Sequence, residues 1–460
     1  MRLPKKGRRY SARPEEAEMS RVTFIENRGK TVFWSAVADE LVRRGHVVSW
    51  IVQNPLEAPK AEGWQVVTLR FPGAADQRRD APIPGAVETD RGRTLFGAGK
   101  GHYAHYQAEI DRALDALNPD VVIGEATLFH ELLTIAACRE RSISYVHPTS
   151  TRYPGGRIVI FEGDTQTPAA GSGETWPEAQ LEAFAEALRT GTTLPDYMRI
   201  PGRSAGLLRK AQLLAGQART LAGRMGGERY NTPSLARKMA LAWGLRHNLE
   251  TWRSLERAPE AGPVILYPLQ MQPEANIEVW GRPFHDQVAV IERCLVALPT
   301  TGQVAVKANP KAKYEVSEAL LQLARSDRRV VLLPLDWRMP QSQAVAIGTV
   351  TVTGTVGYEA VFGRGRCISL CHPMITEMFP NMSADTPEEA VERLLSDPVA
   401  GMGSPEMTRI LLERIIATSF PGVINQPAYD PTCMSEENVT LVSNALERVL
   451  YILAHGRSST

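Results

Sequence analysis

The sequence has few cysteines, and their spacing suggests no common site. Its five cysteines make an odd number and include no CxxC pair, which argues against both a disulfide framework and a zinc site. No apolar run reaches the roughly 18 residues that a membrane-spanning helix needs. The N-terminal stretch MRLPKKGRRYSARPEEAE is basic but is not followed by an apolar region, so no secretion signal is expected. These absences predict a cytoplasmic protein without a metal site.

The chain also lacks an excess of charge of either sign. It has 52 Lys and Arg residues against 51 Asp and Glu residues, a net charge of +1. A dedicated nucleic-acid binder carries a strongly positive surface, so nucleic acid is not expected as a partner. With 460 residues, of which 43% are hydrophobic, the chain is long enough for two or three globular domains.

The first half of the sequence alternates between strand and helix patterns. Residues 1–20 are polar and are expected to form a disordered leader. Residues 21–165 then follow the order of a doubly wound parallel sheet, interrupted by a long Gly- and Pro-rich loop at 71–100. The predicted strands are RVTFI, HVVSWIV, VVTLR, VVIGE and ISYVHP, and the predicted helices span about 31–44, 103–117 and 128–141.

Residues 166–262 are expected to form a helical, basic linker segment. Within it, 201–260 carries 11 basic and 4 acidic residues, and 204–225 alternates Leu and Ala with Arg and Lys. This pattern is typical of an amphipathic helix at an anionic membrane. The alternative is that the apolar stripe packs on a domain and the basic residues are merely solvated.

The second half repeats the alternation of strands and helices. Residues 263–417 are expected to form a second Rossmann-like domain, and 418–460 a C-terminal helix that crosses back to the first domain, followed by a tail. The predicted strands are PVILYPLQ, QVAVKANP, VVLLP, TVTVTG and CISL, and the predicted helices span about 284–298, 314–325, 341–347, from Tyr358 onward, and 435–454.

Polar residues at strand ends are the catalytic candidates in the first half. Ligands of open parallel sheets bind beyond the carboxyl ends of the strands. Glu26 and Glu125 follow two predicted strands, and His130 lies near Glu125. Either carboxylate can serve as a general base or as a nucleophile. The alternative is that each is a solvated loop residue or a partner of a helix N-cap.

Two further groups suggest sugar or acceptor binding in the same half. RYPGGR places Arg152 and Arg157 around a Gly pair, which suits a carboxylate, phosphate or acidic sugar. Asn27 and Arg28 follow the first strand. The alternative for RYPGGR is an ordinary turn with surface charges.

The second half carries candidate donor-binding residues after its strands. TVTGTVGYEA is a strand entering a helix, where backbone N–H groups favour a phosphate, and Glu359 can accept hydrogen bonds from ribose hydroxyls. VAVKANPK supplies cations that can meet a phosphate. The alternatives are a tight strand-to-helix connection and ordinary surface lysines. The candidate donor-binding residues are Thr353, Gly354, Thr355, Glu359, Lys307, Asn309, Lys311, Glu274 and His372.

Several of these motifs, taken in order, resemble one family. PLQMQPEA, WGRPFHDQ, VAVKANPK and VTVTGTVGYEAVFGRG, together with ENRG, GEATLFHE and RYPGGR in the first half, resemble the capsule polysaccharide biosynthesis family over about residues 21–450. This family includes bacterial Kdo transferases of the GT-B fold.

The resemblance implies a glycosyltransferase with two Rossmann-like domains facing a cleft. Its second domain would hold a nucleotide-sugar donor, with a CMP-sugar favoured, and its first domain would present the catalytic carboxylate and a polysaccharide or lipid-linked glycan acceptor. No permanent cofactor is implied.

This sequence departs from the family at Asn309. The Kdo transferases place a His before Pro at this point, where it meets the donor phosphate, and an Asn amide donates a hydrogen bond but carries no charge. Another nucleotide sugar, or an inactive domain, therefore stays open. Further alternatives are a sugar-nucleotide epimerase, a polyol-phosphate polymerase and a non-catalytic glycan-binding subunit of a capsule assembly complex.

Overall fold

A mixed seven-stranded sheet forms the centre of the first domain. We describe it from a computed structural model that covers residues 19–60, 63–193, 195 and 206–456; most of the predicted leader, residues 1–18, lies outside the described residues. The strands of this region are β1 (Arg21–Ile25), β2 (Val47–Val52), β3 (Gln65–Thr68), β4 (Val121–Ile123), β5 (Ser144–Ser150) and β6 (Arg157–Glu162). The helices are α1 (Thr31–Arg43), α2 (Arg91–Thr94), α3 (Tyr103–Leu117) and α4 (Phe129–Glu140).

Three helices separate the two sheets along the chain, and a five-stranded sheet follows. The separating helices are α5 (Glu178–Arg189), α6 (Gly206–Gly226) and α7 (Leu235–Leu255). The strands of the second sheet are β7 (Val264–Pro268), β8 (Gln303–Lys307), β9 (Val330–Leu332), β10 (Gly348–Thr351) and β11 (Cys367–Ser369).

The remaining elements surround the second sheet or return to the first. The helices of the second domain are α8 (Ala275–Glu278), α9 (Gln287–Ala297), α10 (Glu318–Ser326), α11 (Met339–Ala344), α12 (Thr355–Val361), α13 (Pro373–Thr376), α14 (Pro387–Ser396) and α15 (Pro405–Thr418). The chain then adds β12 (Ser419–Pro421) to the first sheet and ends the described part with α16 (Glu436–Gly456).

Both sheets have the strand order of a Rossmann-like fold. The order is β12-β6-β5-β4-β1-β2-β3 in the first sheet and β11-β10-β7-β8-β9 in the second. In each sheet the order in which the strands are added reverses next to the first strand. This reversal opens a crevice at the carboxyl ends of β1 and β4 in the first sheet and of β7 and β10 in the second. The predicted fold class, two Rossmann-like domains facing a cleft as in GT-B proteins, is confirmed.

The strands are apolar because helices cover both faces of each sheet. On the first sheet, Val37 of α1 and Leu446 of α16 belong to the core on one face, and Ile110 of α3 and Leu133 of α4 belong to the core on the other. Residues buried on both faces favour continuous apolar strands over alternating ones, as VILYP in β7 illustrates.

The last helix crosses back to the first domain, as predicted. Arg44, at the end of α1, donates to Glu447 Oε2 at 2.5 Å and to Asn444 Oδ1 at 2.7 Å, both on α16. Apolar residues of the two helices share one core cluster. The crossover therefore packs α16 against α1 and the first sheet.

The structure corrects several predicted elements. β6 and β12 were not predicted, and both are antiparallel to their neighbours, so the first sheet is not wholly parallel. α12 begins at Thr355 rather than at Tyr358. α15 was not predicted. The loop at 71–100 contains the short helix α2 and 3-10 turns.

The linker segment contains the expected helix at 204–225, as α6. Arg209 and Lys210, which belong to the predicted basic pattern, have side chains outside the described part of the structure. Among the helices that the structure describes, none has the length and apolar character needed to cross a membrane.

Candidate active site in the interdomain cleft

A cavity of about 1080 Å³ lies between the two domains. Residues that follow strands of both sheets line it, including Glu125 after β4, Lys307 at the end of β8 and Thr353 after β10. Because the carboxyl ends of both sheets face this space, it lies where open α/β folds bind ligands. The cavity is therefore the candidate active site.

Glu125 stands at the first-domain wall of the cavity. It is buried, and its Oε1 accepts a hydrogen bond from Lys30 Nζ at 2.5 Å. Lys30 lies in the turn after β1, so the ion pair joins the ends of β1 and β4. This pairing holds a carboxylate at the cavity with a compensating charge beside it.

His147 and Trp280 stack across the domain boundary. His147 is on β5, and its ring lies 5.7 Å from the Trp280 ring at an interplanar angle of 22°. Burial lowers the pKa of His147 to about 4, although the charge of Glu125 acts in the opposite direction. The imidazole is therefore neutral at neutral pH.

Arg152 crosses the cleft from the first domain to the second. Its Nη2 donates to Asn276 Oδ1 and to Thr353 O, each at 3.0 Å. Its guanidinium carbon lies 5.6 Å from the centre of the Tyr358 ring, within reach of a cation–π interaction. Arg152 thus lies in the cleft, where the sequence placed an acceptor-binding residue, but its contacts join the two domains.

Lys307 supplies a buried positive charge at the second-domain wall. It is 5% exposed, and its Nζ approaches only Ala308 O, at 3.4 Å. Burial lowers the pKa of Lys307, and the charge of Asp336 opposes this shift. No ion pair within 4 Å joins Lys307 to a carboxylate in the described part of the chain. A buried ammonium without a close counter-ion favours an anionic ligand.

Asn309 and Lys311 lie beside Lys307 on the cavity lining. Asn309 Oδ1 accepts the backbone N–H of Lys311 at 2.9 Å, so the oxygen of this amide is turned toward the chain. The amide nitrogen is the group that Asn309 retains for a ligand.

The TGT turn after β10 forms the adjoining wall. Thr353 Oγ1 donates to Asn276 O at 2.8 Å and accepts from the Gln270 amide at 2.8 Å. A Cβ at Gly354 would lie 2.5 Å from Thr351 Oγ1, so the turn cannot hold a larger residue without moving. Thr355, the first residue of α12, also lines the cavity.

Glu359, Glu274 and His372 complete this wall. Burial raises the pKa of Glu359, against the opposing charge of Arg364. Glu274 Oε2 accepts from Asn276 Nδ2 at 3.2 Å. His372 is buried, its ring packs edge-on against Tyr358 at 4.7 Å, and burial lowers its pKa. The structure thus brings all nine predicted donor-binding residues to one cavity.

Glu26 and His130, predicted as catalytic, do not line this cavity. Glu26 is buried and accepts backbone N–H groups of Arg28, Gln53 and Asn54 at 2.6, 3.3 and 3.0 Å. His130 Nε2 contacts Glu26 O at 3.1 Å. The structure thus places both side chains outside the cavity, where they satisfy buried polar groups around the turn after β1, and their catalytic role stays a prediction.

Asn27, Arg28 and Arg157 likewise do not line the cavity, although Arg157 bonds Ser419, which does. Asn27 Nδ2 donates to Glu131 Oε1 at 2.6 Å, and Arg28 Nη2 donates to Asn231 O at 2.6 Å. Arg157 lies in β6, where it donates to Ser419 O at 2.8 Å and to Ile416 O at 3.1 Å. Internal contacts occupy all three side chains, so their role in acceptor binding stays a prediction that the cavity does not support.

The cavity also contains residues that were not predicted. Asn276 and Gln270 flank the predicted Glu274, so their position beside that motif was a usable signal. Trp280 belongs to the WGRP stretch, but no sequence pattern indicated that its ring would meet His147. The lining residues that were not predicted as site residues include Lys30, His147, Gln270, Asn276, Trp280 and Asp336.

The structure offers no evident metal site in the residues it describes. No group of three or more His, Cys, Asp or Glu side chains among them is arranged to hold a metal ion. All five cysteines are free. The expectation of no metal and no permanent cofactor stays a prediction.

Comparisons with known proteins found similarity only among solved structures. No family model and no curated protein matches the chain. UDP-GlcNAc 2-epimerase from Methanocaldococcus jannaschii is 12% identical over 86% of this chain and 98% of its own, with a TM-score of 0.24. The corresponding Rickettsia bellii enzyme is 13% identical over 94% and 96%, with a TM-score of 0.27. Acinetobacter baumannii MurG is 12% identical over 93% and 99%, with a TM-score of 0.23. Similarities this low assign neither family nor substrate.

Proposed function

We propose that this protein is a nucleotide-sugar-dependent glycosyltransferase that acts on a bacterial capsule or surface polysaccharide. The observation that carries the proposal is the cavity between the sheet ends, with the Glu125–Lys30 pair on one wall and the buried Lys307 on the other. A carboxylate facing a cationic anion site across a cleft suits the transfer of a sugar away from a phosphate.

The second domain would bind the donor. Lys307 is suited to the donor phosphate because a buried ammonium gains more from an anion than an exposed one does. Glu359, which also lines the cavity, would accept hydrogen bonds from ribose hydroxyls. The resemblance in sequence favours a CMP-sugar, with Kdo or a related sugar transferred, although Asn309 replaces the charged residue expected next to the phosphate.

Glu125 would act as the general base. In this scheme the acceptor hydroxyl attacks the anomeric carbon, its proton passes to the Glu125 carboxylate, and the bond to the nucleotide phosphate breaks. The negative charge that develops on the leaving phosphate is stabilised by Lys307, an interaction that strengthens in the transition state. Arg152 would hold the two walls in the correct register by its bonds to Asn276 and Thr353.

The acceptor is proposed to be a growing polysaccharide or a lipid-linked glycan. The first-domain wall, formed by Glu125, Thr127 and Thr149, offers carboxylate and hydroxyl groups that suit sugar hydroxyls. A lipid-linked acceptor would bring the protein into contact with the cytoplasmic face of a membrane.

A panel of CMP-, UDP- and GDP-sugars, each incubated with the purified chain, tests the proposal. A glycosyltransferase releases nucleotide in proportion to acceptor and lengthens the glycan, which mass spectrometry of the acceptor detects. Conversion of a nucleotide sugar to its isomer without an acceptor would replace the proposal with an epimerase. Binding of glycan without any turnover would replace it with a non-catalytic glycan-binding subunit.

A further inference from the structure

Two helices of the linker segment expose apolar stripes to solvent. On α6, Leu214 and Met225 are 65% and 79% exposed, and Ala218 and Leu221 between them are also exposed. Their spacing of four, three and four residues places all of them on one face of the helix. The sequence predicted this stripe as far as Leu221 and left open whether it meets a membrane or packs on a domain.

The stripe on α7 was not predicted. Leu235, Met239 and Trp243 follow one another at intervals of four residues, and Trp243 is 71% exposed. The Trp243 ring stacks on His247 at an angle of 6°. An exposed row of Leu, Met and Trp on one helix face is unusual for a surface that meets only water.

The same helices pack on the domains through other residues. On α6, Gly223 approaches Asn54 so closely that a Cβ would lie 2.7 Å from the amide nitrogen. On α7, Trp252 is buried and donates to Leu333 O at 2.9 Å, and Asn248 donates to Val316 O at 2.8 Å. The exposed stripes are therefore not the faces that hold these helices in the fold.

Along the chain the charged residues near the stripes are mostly positive, although Arg219 lies 3.8 Å from Glu57 and Arg246 donates to Glu250 at 3.1 Å. Between residues 214 and 249, the single acidic residue is Glu228, which is buried and accepts the backbone N–H of Asn231 at 2.9 Å. A surface that combines exposed apolar rows with basic side chains complements a lipid layer with anionic headgroups. The basic residues of this stretch are Arg219, Arg224, Arg229, Arg237, Lys238 and Arg246.

A groove at the end of α6 adds to this surface. It has a volume of about 630 Å³ and lies between residues 71–79 of the long loop and the start of the turn that follows α6. Arg79, Arg229 and the rings of Phe71 and Tyr230 line it. Two guanidinium groups next to aromatic rings suit a lipid phosphate at the edge of the apolar stripe.

We propose that α6 and α7 form a docking surface for an anionic lipid bilayer. The apolar rows would enter the boundary between headgroups and acyl chains, and the basic residues would contact lipid phosphates. The biological role of this surface rests on the proposed function, since a lipid-linked acceptor would be met at the membrane. Binding to a bilayer itself requires neither donor nor turnover.

Cosedimentation of the full chain with vesicles tests the docking surface. We expect binding to vesicles of equal parts phosphatidylcholine and phosphatidylglycerol, little binding to phosphatidylcholine alone, and release at high salt. Met239→Ser/Trp243→Ser should weaken binding at least about tenfold. Arg229→Gln/Lys238→Gln should weaken it about 25-fold, because each basic residue near an anionic surface contributes a factor of about five.

Matched controls carry equivalent changes on exposed positions of the second domain. Val296→Ser, at a residue that is 78% exposed on α9, and Arg325→Gln/Arg328→Gln should bind vesicles as the unaltered chain does. Equal binding to neutral vesicles, or equal losses in the controls, would overturn the proposal. The proposal would also be overturned if the chain did not bind vesicles and instead formed a dimer that Met239→Ser/Trp243→Ser dissociates. Analytical ultracentrifugation detects such a dimer. Turnover with a soluble acceptor needs no membrane, so this measurement distinguishes a failure of the docking surface from a failure of the proposed glycosyltransferase activity.

Discussion

Glu125 differs from Glu26 in what its carboxylate contacts, although both follow strands of the same sheet. The Glu26 carboxylate accepts hydrogen bonds from three backbone N–H groups, whereas Glu125 pairs with one lysine and lines the cavity. A carboxylate that accepts several backbone hydrogen bonds stabilises a turn at the expense of reactivity. The proposed base is therefore Glu125 alone.

Glu125→Gln should abolish turnover while donor affinity stays within about twofold, because an amide keeps the shape but cannot accept the proton. Nucleotide release and calorimetry measure the two quantities. Glu162→Gln, a change at an exposed position of β6, serves as the control. Wild-type turnover in Glu125→Gln would remove this residue from the mechanism.

Lys307→Gln should weaken nucleotide binding by roughly 10- to 150-fold, since a charge-assisted hydrogen bond contributes about 1.5–3 kcal/mol. Because burial lowers the pKa of Lys307, the affinity should also fall as pH rises, at a lower pH than for an ordinary lysine. Titration calorimetry across the pH range measures both effects. Lys313→Gln, outside the cavity lining, is the control, and unchanged affinity in Lys307→Gln would contradict the donor site.

Glu359→Ala should weaken nucleotide binding by roughly 10- to 150-fold if the carboxyl group accepts ribose hydroxyls. The fold should remain intact, because among the described residues Glu359 makes no ion pair closer than the 3.8 Å contact with Arg364. Calorimetry with the free nucleotide and with the free base and phosphate separates ribose contacts from the rest. Equal affinity for the nucleotide before and after the change would exclude Glu359 from the site.

At the scale of elements, the edge of the first sheet depends on Arg157. This buried side chain of β6 bonds Ser419 Oγ, Ser419 O and Ile416 O, and its Nη1 lies 2.8 Å from Glu174 Oε2. It therefore links β6 to β12 and to the end of α15, which connect the second domain back to the first.

Arg157→Met should lower the free energy of unfolding by about 3 kcal/mol, because it leaves a carboxylate and two carbonyl oxygens without their partner. Thermal and urea unfolding measure the loss. Donor affinity of the folded protein should be unchanged, since Arg157 lies outside the cavity. A change in acceptor binding at unchanged stability would restore the role that the sequence suggested.

The elements that the sequence predicted well are those with local signals. α3 was predicted at 103–117, and the structure gives Tyr103–Leu117. Its apolar spacing marks the buried face, and the left-handed Asn118 after it marks the end. β6 was missed because RYPGGRIVIF begins with turn residues, and its strand character comes from pairing with β5 and β12, which are distant signals.

The sequence could place the candidate donor-binding residues in one cavity because they lie at or after the ends of a few strands, and parallel strands bring their ends together. The residues after β1 were misplaced for a related reason. Strand ends predict proximity to a crevice but do not show which side chains satisfy the turn itself, as Asn27 and Arg28 do. Contacts between domains, such as that of Arg152 with Thr353, have no signature in the local sequence.

At the scale of the whole molecule, a second set of contacts joins the domains beside the cleft. Thr89 donates to Glu278 O, and Arg282 Nη2 donates to Ala86 O at 3.3 Å. Glu278 ends α8, the helix that begins beside the cavity residue Glu274. The long loop of the first domain therefore holds the second domain at the rim of the site.

Glu278 makes this contact sensitive to pH. Its Oε2 lies 3.3 Å from Arg91, yet burial outweighs this attraction and raises its pKa to about 8. Burial also raises the pKa of the neighbouring Asp90. A carboxyl group that stays protonated in the folded protein but ionises in the unfolded chain makes the folded state less stable as pH rises between the two pKa values.

The contribution of Glu278 to stability should therefore be fullest below the ordinary carboxyl range and should fall by up to about 1.4 kcal/mol per pH unit between about pH 5 and pH 8. Glu278→Gln, which cannot ionise, should remove this contribution from the slope. Asp90 acts in the same direction, whereas the buried His147 and His372, whose pKa values are lowered, act in the opposite one. Unfolding by urea at a series of pH values measures the slope, and Glu392→Gln on the exposed side of α14 is the control. If Glu278→Gln kept the wild-type slope, the buried interdomain carboxyl would not be the group that titrates, and the pH response would have to arise from other groups in the molecule.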